Sequence, residues 1–157
     1  GVPYWDGGYL GNPSIFPLFG VTQTEDVLLI QINPTTRNTT PTSNRDIVSR
    51  LNEITFNSPL MGELRAIEFV GRLIDQGKLP RGIGHGKYRR INMHRVALDA
   101  FAKQPDIGGR FNTDYDFFEM LRTNGRRAAR RFLDEHFGDI GVRGTVDLQA
   151  EVRAEWA

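Results

Sequence analysis

The chain has 157 residues, 39% of them hydrophobic and 25% charged, the make-up of one ordinary folded domain with its own core. A net charge of +1 gives no overall field to gather nucleic acid or anionic lipid, and the lack of cysteine excludes disulfides and thiolate metal sites. No apolar run nears the roughly 20 residues that span a bilayer and no leader peptide is legible, so a cytoplasmic protein is expected.

Near the start, Asp6 is followed by paired glycines, Gly7 and Gly8, which admit positive φ at no steric cost and predict a tight bend with the carboxylate at its tip. A catalytic acid or orienting base is held in this way, and so is the acid of a plain Asp-Gly reverse turn. Asn12-Pro13 then restrains the chain, with Pro13 suited to open a short helix. Residues 26–32 make an apolar run broken by Gln31, the pattern of a strand buried on both faces in a parallel sheet. Residues 34–44, rich in Pro, Thr and Asn, read as a linker. Ser43 or Asn44 can cap the helix that follows, with Ile47, Leu51 and Ile54 on its apolar stripe. Asn57-Ser58-Pro59 predicts a break and a second helix, whose inner stripe is Leu60, Leu64, Ile67, Val70 and Ile74. Glu63 intrudes on that stripe; an arginine partner is expected for it, with a functional acid as the alternative.

Residues 78–87 form a glycine-punctuated loop. Within it Gly82-Ile83-Gly84-His85-Gly86 follows no strand and opens no helix, which sets a dinucleotide-binding turn aside. A half-exposed strand is predicted near 88–96, with Ile91 and Met93 alternating against Arg90, Asn92 and His94 on the wet side. Thr113 then caps a helix running to about Phe137, with Phe118, Leu121, Ala128, Ala129, Phe132 and Leu133 as its buried arc. Arg126, Arg127, Arg130 and Arg131 fall opposite, partly answered by Asp134 and Glu135. This stripe reads as a solvated face, or as a contact for an anionic membrane surface ahead of nucleic acid. Residues 138–157 read as a weakly anchored tail.

The run from Trp5 to Pro13 resembles the Asp-Gly-Gly/Ala motif of patatin-like phospholipases, where the aspartate partners a serine nucleophile. The segments Ile15–Phe19 and Asp26–Pro34 resemble the short helix and buried strand that follow it. Asp46–Asn57 and Glu63–Ile67 are similar to a C-terminal extension, a domain of unknown function, found in a bacterial subgroup. The likeness covers most of residues 2–135. It implies an α/β fold, with residues 1–33 as the C-terminal end of a doubly wound patatin-like core. A linker at 34–44, a mostly helical extension at 45–137 with one strand, and a tail at 138–157 would follow. It also implies Asp6 as the base of a Ser-Asp dyad, supported by Gly7, Gly8 and Asn12, with no metal or organic cofactor.

Such hydrolysis further needs a nucleophile on a strained elbow and an oxyanion hole of backbone N–H groups. The serines are Ser14, Ser43, Ser49 and Ser58, and none sits in Gly-x-Ser-x-Gly. Ser14 lacks flanking glycines and is read as a helix-start residue. The chain opens at Gly1-Val2-Pro3-Tyr4, so it is expected to be a C-terminal piece of a larger protein, inactive without the part that carries the nucleophile. His85, His94 and His136 lack the spacing of a metal face, and only His85 lies in a loop suited to approach a ligand. The expected function is a lipid acyl hydrolase that cleaves an ester through an acyl-serine intermediate. Its partners would be the lipid or ester substrate and the N-terminal part of the same protein, with peripheral membrane contact and no nucleic acid. The alternative is a non-catalytic helical interaction or membrane-surface module in which the Asp6 bend is structural.

Overall fold

The computed structural model describes residues 1–37, 39–81, 83–84, 88–98 and 113–154, with Tyr9 as backbone alone. Among these, two short 3-10 helices (Gly7–Tyr9 and Phe16–Gly20) precede strand β1 (Asp26–Gln31) and helix α1 (Asn44–Asp75). Strand β2 (Asn92–Ala97), helix α2 (Tyr115–His136), a 3-10 turn (Phe137–Asp139) and helix α3 (Leu148–Ala154) follow. β1 and β2 pair in parallel from Asp26 beside Asn92 to Gln31 beside Ala97, making a mixed α/β fold around a two-stranded sheet.

Parallel strands need a long crossover, and α1 supplies it. It covers the sheet face that carries Leu29 and Met93, where Leu60, Leu64 and Ile67 join them and Ile15 to form the core. The stretches assigned to a patatin-like core and to its extension thus share one core. On the opposite face α2 packs over β2, and the Phe132 ring meets the edge of His94 at 6.0 Å between centroids. Successive strand residues face opposite sides, so Leu28 and Ile30 share the α2 side with His94. Since α2 stops over β2, Leu28 and Ile30 stay 49% and 72% exposed. The doubly buried strand is therefore β2, where Met93 and His94 are each 1% exposed, and β1 is covered on one face only. His94, expected on the wet side, lies under α2.

The break at Asn57-Ser58-Pro59 does not occur: α1 is one helix of 32 residues with Pro59 inside it. An interior proline costs roughly 3 kcal/mol. Burying Leu60, Leu64 and Ile67 contributes about 1.5–3 kcal/mol each, which outweighs it. The buried positions Ser49, Glu53, Asn57, Leu60, Leu64, Ile67, Gly71 and Ile74 run unbroken through the proline at three- and four-residue spacing. In the first half this face is polar, so Ile47, Leu51 and Ile54 turn outward at 41%, 58% and 51% exposure. The cause is the linker. It covers the helix with carbonyls and Arg37 rather than with apolar side chains. Arg37 grips Glu53 with both arms of its guanidinium (2.9 and 2.6 Å) and donates to Ser49 Oγ at 2.8 Å. Arg50 donates to Glu53 and to Thr35 O, and Asn57 Nδ2 donates to Pro34 O.

The caps fall close to expectation. Ser43 caps α1 by accepting from Asp46 N, while Asp114, not Thr113, caps α2. On α2 only Ala128 and Phe132 are buried, and Phe118 and Leu133 of the expected arc are half exposed. The C-terminal segment is firmly held rather than loose. Thr145 N and Val146 N both donate to Met93 O, and Arg95 forms a two-armed pair with Glu151 at 3.0 Å. At Gly144 a Cβ would stand 3.1 Å from Met93 N and 3.3 Å from Met93 O, so a larger residue would push the segment a few tenths of an ångström away from β2.

Candidate active site

The Asp6 bend is a 3-10 turn in which Asp6 Oδ1 accepts from Gly8 N at 2.8 Å, while Gly7 O accepts from Leu10 N and Gly11 N. Gly7 and Gly8 are not among the positive-φ glycines, which among the described residues are Gly77, Gly84 and Gly141. The pair serves a different need from the handedness expected of it. A Cβ at Gly8 would lie 3.1 Å from Asp6 Oδ1 and 3.3 Å from the Phe56 ring, whereas one at Gly7 would meet open space. Gly8 is bare because the bend presses on α1 there. The side chain of Asp6 is exposed, and among the described residues no serine, histidine or cation reaches it.

Two contacts place this bend relative to α1. Gly8 lies against Phe56, and the next residue, Asn57, holds Pro34 O in the chain that leaves β1. The bend therefore packs beside the middle of α1. Further along, Ile15 N and Phe16 N both donate to the Glu63 carboxylate at 3.2 Å. Glu63 thus pairs with two backbone amides rather than with an arginine, and it caps the Phe16–Gly20 turn from another element. Its position on the apolar stripe was the signal; nothing local in the sequence names the partner. Ser14 does not cap that turn, Pro13 does not open it, and Asn12 is exposed, with the Asn12–Pro13 peptide cis.

A second constellation joins residues far apart in sequence. His94 Nε2 lies 3.0 Å from Asp26 Oδ1 and its Nδ1 lies 3.2 Å from Thr145 Oγ1. The same Asp26 oxygen accepts from Gly141 N at 2.9 Å. A carboxylate, an imidazole and a hydroxyl in line is the order used to activate a nucleophile. Here the imidazole is 1% exposed and wedged against Phe132, so the array fastens the C-terminal segment to the sheet. Sequence reasoning missed it because neither histidine spacing nor strand alternation reveals a cover supplied by α2.

A cleft of about 600 Å³ opens between the last turns of α1, the start of β2 and residues 142–149, and Asp6 does not line it. Its arginines are engaged: Arg72 by Glu68, Arg90 by Asp75 and Arg143 by Asp139. Arg126, Arg127, Arg130 and Arg131 are all exposed on α2, remote from Asp6 in the chain. Among the described residues no group of acidic and imidazole side chains could hold a metal ion. Gly82, His85 and Gly86 lie outside the described residues. No described helix is long and apolar enough to cross a membrane. No family model matches the chain, nor does any curated protein or solved structure.

Proposed function

We propose that this chain supplies the aspartate of a Ser-Asp dyad to a lipid acyl hydrolase, with the nucleophile and oxyanion donors coming from a preceding part of the same protein. The observation that carries the reading is the exposed Asp6 carboxylate, held on a bend that packs against α1. The sequence likeness to patatin-like phospholipases points to the same residue. In this reading the serine hydroxyl attacks the ester carbonyl and Asp6 takes its proton. Asp6 hands that proton to the departing oxygen, which leaves as the alcohol, and an acyl-serine remains; Asp6 then takes a proton from the attacking water and returns it to the serine oxygen as the acid is released. Gly8 gives the bend room against Asp6 and Phe56, and Glu63 fixes the chain that leaves it.

The test is turnover of short and long acyl esters by the complete protein, wild type against Asp6→Ala and Asp6→Asn. A loss on the order of a thousandfold or more is expected for both, since one member of a nucleophile–base unit removes nearly the whole effect. Full turnover by either variant overturns the dyad. A second reading keeps the chain non-catalytic, with Asp6 as the cap of its turn. The bond to Gly8 N favours it, and it expects Asp6→Asn to leave any measured activity untouched.

A further inference from the structure

The outward face of α2 is neither polar nor uniform. Tyr115, Glu119, Arg122, Arg126, Arg130 and Leu133 recur at three- and four-residue intervals and so stand in one row. That row faces away from the core, because Ala128 and Phe132 are the buried positions of the helix. Tyr115 is 73% and Leu133 50% exposed, and Phe137, one turn beyond Leu133, is 68% exposed. Arg122 is bound by Glu119, but among the described residues Arg126, Arg127 and Arg130 meet no carboxylate. The pairing of Arg130 with Asp134 that the spacing predicts does not form. The row is thus three arginines in the middle, closed at both ends by side chains that gain by leaving water.

We propose that this face of α2 lies flat on an anionic bilayer surface. The arginines meet headgroup phosphates, and Tyr115, Leu133 and Phe137 enter the boundary between headgroup and acyl chain. From Tyr115 to Leu133 the row is about 27 Å long, enough to lie across several lipids. Charge selects the partner: Arg126 and Arg130, which meet no acid among the described residues, call for an anionic surface, and Arg122 can exchange Glu119 for a headgroup phosphate. The apolar ends select lipid over nucleic acid, because a phosphate backbone offers nothing for leucine and no aromatic ring lies between the arginines to stack on a base. This inference does not rest on the acyl-hydrolase reading, and it concerns residues that have no part in the dyad.

The experiment is flotation of the full chain with phosphatidylcholine vesicles, with and without a minority of phosphatidylglycerol. Wild type should bind the anionic vesicles, release as salt is raised, and ignore the neutral ones. Replacing Arg122, Arg126 and Arg130 by alanine should weaken binding on the order of a hundredfold. Replacement of the same three by lysine should retain most of it, and this variant also controls for folding because the charges are kept. Leu133→Ser should weaken binding without changing its salt dependence. Equal binding to neutral vesicles, no binding by wild type, or an unaffected alanine variant overturns the proposal. Capture by heparin as tight as by vesicles, with Leu133→Ser silent, overturns it in favour of a polyanion site.

Discussion

Asp26 Oδ1 accepts from His94, from Gly141 N and, at 3.4 Å, from Asn92. Those bonds, the one from His94 foremost, hold its carboxyl below the usual carboxylate range. A carboxyl whose folded pKa is depressed adds stability that is fully present above its unfolded pKa, about 3.9, and is lost as pH falls through the folded value. Thermal melts taken stepwise from pH 6 to pH 3 should therefore show a decline that steepens below about pH 4. Asp26→Asn should lower the melting temperature near neutrality and flatten that acid limb. An unchanged limb would remove Asp26 from the account. The same scale shows what a sequence can hide. The turn at Asp6 is legible because its residues are neighbours. The clasp at Asp26 is not, because its partners stand 68 and 115 positions away.

In α1 the apolar residues of the first half misled the periodicity. Ile47, Leu51 and Ile54 share a stripe, as the sequence says, but that stripe is the outer one. Hydrophobic spacing identifies a face without saying which surface will cover it. Here the linker's Arg37, with Arg50, seats on Glu53, whose side chain is 10% exposed. Pairing a buried carboxylate with two guanidinium groups makes the charge tolerable, and removing it takes a shared counter-ion away from both cations. Glu53→Gln keeps the shape and deletes the charge. It should cost roughly 3 kcal/mol in urea unfolding, while Asp46→Asn, in the first turn of the helix, should cost far less. Comparable losses at the two positions would mean that the strap contributes nothing. The second half of α1 was readable, since Leu60, Leu64, Ile67 and Ile74 are buried as their spacing predicts.

The described residues form a parallel pair with a long helix over each face, and one of those helices covers only half of its face. The mixed α/β class was legible in the strand at 26–31 and the long amphipathic stretches; the pairing of that strand with β2 was not, because parallel partners meet across a helix. Among the described residues the outer edge of β1 has no strand beside it, and Leu28 and Ile30 are exposed on the uncovered face next to that edge, with Ile32 exposed just past the strand. An apolar edge of this kind recruits further strands. The chain by itself should therefore gain mass with concentration in light scattering. Ile30→Lys, at a position 72% exposed, should suppress that gain without lowering the melting temperature. A concentration-independent mass for wild type would argue that the edge is already protected.

The clasp on Asp26 also sets an order of events during synthesis. β1 leaves the ribosome early, yet the glycine and threonine that help seal it, Gly141 and Thr145, emerge more than a hundred residues later. Until then His94 has no hydroxyl to meet and Met93 O no amides to accept. A nascent chain halted before that point should hold α1 yet leave its sheet open to proteases, and closure should come as a late, slow step, as distant contacts impose.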